Sequence, residues 1–213
     1  MTESVGKLRG RPPAGSRPRD LRRTLIDAAL QLIERTGVEA LSVREAARVA
    51  GVTHQAPYRH FANKQELVAA IAEEGFHALR EKAVVAMAAH PDDSVARLDA
   101  MALTYFVFAV EQPAQFRVMF GPEIADKARY PALRASADVI MAMLTQLIAE
   151  TQRAGRVRPG DPLDLALAGW SMMHGLASLI VNGPVARYPQ GSVEPRDLAR
   201  SMIGLLHTGL DVR

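Results

Sequence analysis

Cysteine is absent from the 213 residues, which excludes disulfides, thiolate metal sites and thiol nucleophiles and makes a reducing cytoplasm the expected setting. Aromatic residues are scarce, with one tryptophan, four tyrosines and six phenylalanines. No glycine-rich phosphate loop, no motif pairing a nucleophile with a base and no clustered acid pair is present, so the chain reads as a binding protein and not as an enzyme. Strand-like alternation is missing as well, and the expected fold is all-α. The N-terminal stretch MTESVGKLRGRPPAGSRPRD lacks the apolar run of a signal peptide. One uncharged stretch, Leu165 to Ala186, is long enough to raise a membrane question. It carries Ser171, His174, Ser178, Asn182, Gly183 and Pro184, and is read as a helix buried nearly all round, with no membrane partner.

What is present is an uneven charge. The net charge is only +3, yet residues 1–64 hold 12 Lys and Arg against 6 Asp and Glu, leaving 14 against 17 in the remainder. Phosphate neutralisation supplies most non-specific affinity for DNA, and a basic half of this kind is its electrostatic footprint. Lys7, Arg9, Arg11, Arg17, Arg19, Arg22 and Arg23 stand among Gly, Pro and Ser in a leader too polar to form a core. Residues 1–19 are expected to be a disordered basic arm. It either follows phosphates and a minor groove or serves only as a solubilising leader.

Behind the arm, Leu21, Leu25, Ala28, Ala29, Leu32 and Ile33 form the stripe of an amphipathic helix that Gly37 ends. Ser42 and Glu45 have capping-box spacing and start a second helix at Val43, stopped by Gly51 after two turns. Thr53 is the expected cap of a short third helix through Phe61, and Asn63 with Glu66 repeats the capping box for a long fourth helix reaching His90 and Pro91. Helix, glycine turn, helix is the helix-turn-helix arrangement. The third helix concentrates Thr53, His54, Gln55, Tyr58, Arg59 and His60, side chains suited to base edges and phosphates, above Val52 and Phe61 as anchors. The plain alternative is a solvated polar face. Pro57 lacks an N–H and its ring crowds the carbonyl four residues back, so this helix is expected to start tight or late.

The run GVTHQAPYRHFANKQELVAAIAEE, Gly51 to Glu74, closely resembles the DNA-binding signature of the tetracycline repressor (TetR) family. Gly51, Val52, Tyr58, His60, Phe61, Lys64 and Leu67 match its pattern, Thr53 replaces the commoner serine, and the match extends back over Leu25 to Ala50. The resemblance implies phosphate contacts from Thr53, Tyr58, His60 and Lys64, and base-facing roles for His54, Gln55, Ala56 and Arg59. Arg44 is placed with them as a DNA-binding residue.

Five further helical segments follow, roughly Ser94 to Glu111, Pro113 to Phe120, Leu133 to Ala154, Pro162 to Asn182 and Glu194 to Leu210. Tyr105, Phe106, Phe108, Phe116 and Phe120 are five of the eleven aromatics, and with Met101 and Met119 they form either plain core or the wall of an apolar cavity. The string GWSMMHGLASL, Gly169 to Leu179, resembles a Trp-His-Gly C-terminal domain of one TetR branch through Trp170, His174 and Gly175. YFVFAVEQPAQFRVMFG, Tyr105 to Gly121, resembles the same branch, and Pro57 agrees with it. Met101, Tyr105, Phe108, Phe116, Met119, Phe120, Met143, Trp170, Met173 and His174 are the candidate effector-pocket residues. For His174 three roles are open: hydrogen-bonded core residue, effector contact, or metal ligand, the last without a ligand-spaced partner. The resemblance also implies dimerisation through the last two helices. Leu198, Met202, Leu205 and Gly209 give a stripe on one of them, with Leu176, Leu179 and Ile180 on the other.

The expected molecule is therefore all-α with about nine helices. It has the arm (1–19), a three-helix helix-turn-helix DNA-binding domain (20–66) and a helical effector-binding and dimerisation domain (67–213). Its expected function is that of a repressor that leaves a roughly palindromic double-stranded operator when a small apolar or amphipathic effector binds. No cofactor, metal or catalytic residue is expected. The alternative is an architectural or partner-controlled DNA-binding protein without an effector.

Overall fold

The computed structural model describes residues 21–124, 126–183 and 194–210. The basic arm lies outside them.

Helix α1, Leu21–Thr36, buries Leu25, Ile26, Ala28, Ala29, Leu32 and Ile33, the expected stripe with Ile26 added and Leu21 only half-buried. Gly37 closes it at φ 81°, its N–H bonding the Ile33 carbonyl at 2.9 Å. Helix α2 spans Val43–Val49, and the Ser42 hydroxyl accepts the Glu45 N–H at 3.1 Å. The reciprocal half of that capping box does not form. The Glu45 carboxylate turns forward to the Arg48 guanidinium at 2.9 Å, and that hydrogen bond holds its pKa below the ordinary carboxylate range.

The expected helix from Thr53 to Phe61 is replaced by a single 3-10 turn, Ala56–Arg59. Pro57 has no N–H to give and its ring crowds the carbonyl four residues back, so it fits only in the first turn and the helix starts late, at Ala56, with Pro57 second. Gln55 precedes it without a side-chain cap, and the Thr53 carbonyl, not its hydroxyl, receives the Ala56 N–H at 3.1 Å.

Helix α3, Lys64–Ala88, is 25 residues long, about 37 Å at 1.5 Å per residue. Its start is held by two bonds: Asn63 Oδ1 accepts the Glu66 N–H at 3.0 Å, and Glu66 Oε2 reaches back one residue past the cap to the Ala62 N–H at 2.8 Å. Arg22 and Arg23, read from sequence as part of the basic leader, instead clasp Glu74 of α3 at 2.6 and 2.9 Å. They fasten α1 to α3.

The remaining helices are α4 (Ser94–Glu111), α5 (Pro113–Phe120), α6 (Pro131–Arg153), α7 (Pro162–Val181) and α8 (Pro195–Leu210), with a 3-10 turn at Lys127–Arg129. Proline opens α5, α6, α7 and α8, where a missing N–H leaves no helical bond unmade. Among the described residues there are eight α-helices and no strand. Helix α3 packs against α4, α5 and α6, and α4 against α7 and α8. One core runs from Leu25 and Phe61 through Ile71, Phe106 and Met119 to Ile203, so the boundary expected near residue 66 falls in the first turn of α3 without interrupting it. At Gly75 a side chain has no room, because the Cβ position lies 2.5 Å from Met119 Sδ. The α3 backbone meets the Met119 and Gln115 side chains of α5 directly there.

Helix α7 corrects one expectation. It has the length and composition to cross a membrane, as does α6. It is not buried all round, however: Leu165, Ala166, Met173, Ala177 and Val181 enter the core, while Leu163, Leu167, Met172 and Leu179 are exposed. The other helices cover only one side of it.

Candidate functional site

Between Gly51 and Lys64 the chain makes a short platform. Pro57 and Phe61 are buried beneath it, and the Pro57 carbonyl accepts both the His60 and Phe61 N–H groups at 2.8 and 2.9 Å. With its apolar residues pinned from below, the turn directs its polar side chains outwards: Thr53, His54, Gln55, Tyr58, Arg59 and His60 are all exposed. Tyr58 is 49% exposed, far more than a phenol ring used for packing. Ala56 is half-buried. Arg44 is exposed in the first turn of α2. Lys64, at the start of α3, gives one ammonium hydrogen to the Glu39 carbonyl at 2.9 Å. Two others remain for an anion. Eight of the nine sequence-predicted DNA residues therefore lie on or beside this platform, and hydrogen-bonding and cationic side chains predominate among them.

A cavity of about 90 Å³ lies among α4, α6, α7 and α8. Leu98, Met101, Ile140, Leu144, Ile148, Leu165 and Met173 give it apolar walls, joined by the rings of Tyr105 and Trp170. Asp99 and His207 stand at its mouth, 2.7 Å apart across α4 and α8.

Behind Tyr105 the aromatic cluster continues. The Tyr105 hydroxyl meets His174 Nδ1 at 2.7 Å, and His174 Nε2 lies 3.3 Å from Ser178 Oγ. The His174 ring sits 4.7, 5.2 and 5.5 Å from those of Phe120, Trp170 and Phe116. Burial pushes the Tyr105 hydroxyl up and the His174 imidazole down. A neutral imidazole carries one N–H, so one ring nitrogen donates and the other accepts across the Tyr105–His174–Ser178 chain. Beyond His174 opens a second, more polar cleft of about 400 Å³, walled by Phe116, Phe120 and His174 on one side and by Gly37, Val38 and Glu39 on the other.

Residues 25–71 match the family model described as bacterial regulatory proteins, tetR family, and residues 98–206 match a tetracyclin repressor-like C-terminal domain, which alone covers half of the chain. The chain belongs to the TetR family. Among characterised relatives it is 34% identical over 101 residues to the HTH-type transcriptional regulator BetI of Rhizobium meliloti. That alignment covers 46% of this chain and 50% of BetI, so the chain spans about half the length of that relative. A protein of unknown function from Rhodococcus sp. RHA1 superposes with TM-score 0.79 at 30% identity, over 92% of this chain and 100% of its own. A tetR-family regulatory protein from Rhodococcus RHA1 superposes with TM-score 0.72 at 21% identity, over 91% and 98%. TetR-family proteins are DNA-binding regulators of transcription, not enzymes.

In this TetR-family protein the ten candidate effector residues are divided among three places. Met101, Tyr105, Trp170 and Met173 line the apolar cavity; Phe116, Phe120 and His174 line the second cleft. Phe108, Met119 and Met143 reach neither: Phe108 and Met119 are packed in the main core, and Met143 packs beside Ala83 and Leu147. Sequence reasoning missed Asp99 and His207, which are 108 positions apart and carry no local motif. It also missed the α6 residues Ile140, Leu144 and Ile148, whose i, i+4, i+8 spacing was a usable signal. Of the expected dimer residues, Leu179 and Leu205 are exposed at 47% and 55%. Leu176, Ile180, Leu198 and Met202 are half-buried, and Gly209 lies in the last turn of α8.

Proposed function

We propose that this protein is a homodimeric, sequence-specific repressor in the cytoplasm that leaves its operator when a small apolar or amphipathic molecule enters the C-terminal helical bundle. The observation that carries the reading is the outward presentation of Thr53, His54, Gln55, Tyr58, Arg59 and His60 on a turn fixed by Pro57 and Phe61, with Lys64 beside it. Arg59 and Gln55 can pair with guanine and adenine edges, and His54 with Ala56 completes the base-facing set. Arg44, Thr53, Tyr58, His60 and Lys64 hold phosphates. Residues 20–66 form the DNA-binding unit and residues 67–213 the effector and dimer unit, with α3 the rigid element common to both. Trp170, His174 and Gly175 support placing the chain in the Trp-His-Gly branch.

The dimer uses α7 and α8. Leu176, Leu179, Ile180, Leu198, Met202, Leu205 and Gly209 form the patch, and a four-helix bundle from two copies would cover the exposed Leu179 and Leu205. Two-fold symmetry sets paired turns in successive major grooves of a roughly palindromic site. The apolar walls of the 90 Å³ cavity support an apolar or amphipathic effector.

Two substitutions separate base reading from phosphate binding. Lys64→Ala weakens binding to every sequence and lowers the salt slope by about one. Gln55→Ala changes which operator variants are preferred. An unchanged slope removes Lys64 from the phosphate contacts, and equal losses on all sequences remove Gln55 from base readout.

A further inference from the structure

The apolar cavity and the polar cleft are separated by a wall one side chain thick on each face. Tyr105 and Trp170 face the cavity, His174, Phe116 and Phe120 face the cleft, and the Tyr105–His174 hydrogen bond of 2.7 Å closes the middle. An engineered cavity of about 150 Å³ takes a benzene ring. The 90 Å³ found here therefore takes only a short apolar tail. The cleft is larger, at about 400 Å³, and bears the Ser178 hydroxyl, the Asn182 amide and the Arg117 guanidinium beside the Glu39 and Glu123 carboxylates.

From this arrangement we infer that the effector is an uncharged amphiphile lying across the wall. A short apolar tail fills the cavity, and a head that both donates and accepts hydrogen bonds, of the primary amide or alcohol class, replaces the Tyr105–His174 bond and enters the cleft. The inference rests on the reading of the protein as an effector-controlled regulator.

The chemistry of the head follows from the path and the destination. At the wall it lies among Phe116, Phe120 and Trp170, where an ionised group would lose its hydration without a counter-ion, whereas a neutral head exchanges one hydrogen bond for another. Beyond the wall, charges of both signs line the cleft, and Arg117 is already bonded to the Val181 carbonyl at 2.6 Å. Neither a carboxylate nor an ammonium finds an environment of one opposite sign. The far side of the cleft is the Gly37 to Glu39 loop, and the Glu39 carbonyl holds Lys64 at 2.9 Å. A head seated there touches the loop that positions a residue assigned to a phosphate.

Trp170, the one tryptophan of the chain, lies at the wall and reports on it. The test is titration of its emission in the full chain with butanamide, butanoate and propylammonium, which share a propyl tail short enough for the cavity. Gly169→Leu adds bulk on the cavity side, since Gly169 lines the cavity and a Cβ there meets nothing within 4 Å. The double variant Ser178→Ala, Asn182→Ala strips the cleft side and leaves the cavity intact. Butanamide is expected to shift wild-type emission and to bind at least tenfold more tightly than either charged counterpart, with each variant weakening it at least tenfold. Equal binding of a charged counterpart, undiminished binding in the cleft variant, or no response to butanamide overturns the inference. Operator release is measured separately by anisotropy. A compound that binds unaffected by the cleft variant and still releases DNA sinks the spanning ligand but spares the regulator. Butanamide that spans the wall without altering DNA affinity does the reverse.

Discussion

His174 is held by two hydrogen bonds and packed among three aromatic rings of the bundle, in addition to the ring of its partner Tyr105. Of the roles open to it in the sequence, the hydrogen-bonded residue is the one seen, and it also faces the cleft. Burial lowers its pKa from 6.5, so as the pH falls the unfolded chain takes up this proton before the folded one does. The contribution to stability is accordingly complete above pH 6.5 and is lost as the pH drops below it. His174→Gln, which keeps hydrogen-bonding capacity without a titrating ring, is expected to flatten that part of the stability curve in denaturant titrations between pH 7.5 and about 5. An identical pH slope in the variant would show that His174 is not its source. At this scale the sequence was informative where a motif was local and silent where a pair was distant. Ser42, Asn63 and Gly37 announced their caps within three or four positions. Arg22 and Arg23 with Glu74, and Asp99 with His207, meet only after the chain has folded.

Among the elements, the long helix α3 carries the most consequence. It begins at Lys64 beside the exposed polar turn and buries Leu67, Ile71, Gly75, Phe76 and Leu79 against the rest of the molecule. Gly75 permits its close approach to α5, and Gly75→Ala must displace Met119 from a position now only 2.5 Å from the new Cβ. Overpacking of this kind destabilises by about 1–3 kcal/mol. A double-mutant cycle in chemical denaturation, with Met119→Ala as the partner, is expected to recover part of that loss. Strict additivity would show that the two residues are not coupled. Helical periodicity gave the extents of α1, α3, α4 and α5 nearly as observed, because apolar stripes and caps coincide there. For the turn at Ala56–Arg59 the Thr53 cap and the extent to Phe61 were not met, whereas the tight, late start expected from Pro57 was. Periodicity also overstated the burial of α7, since an apolar helix covered on one side and one covered on both have the same composition.

For the molecule as a whole, those exposed residues are the telling feature. Leu179 and Leu205 lie open on the last two helices, where a second copy would cover them. Leu205→Glu is expected to give a folded monomer in sedimentation equilibrium, with helical content retained. A dimer that persists would place the interface elsewhere. The continuous core from α1 to α8 means that a ligand-driven change in the bundle is passed on by packed side chains, because no flexible linker separates the parts. Basic charge in the first 64 residues and the family signature made the DNA-facing half legible in advance. The cavity was legible only in part, since four of its residues were named and its α6 wall and polar mouth were not.

The most direct test of the central claim is fluorescence anisotropy with labelled DNA from upstream of the protein's own gene, against scrambled DNA of equal length, across a salt series. A sequence-specific repressor binds one roughly palindromic site about a thousandfold or more tighter than scrambled DNA, with a salt slope that reports its phosphate contacts. Equal, strongly salt-dependent binding to both DNAs would contradict sequence-specific recognition at that region.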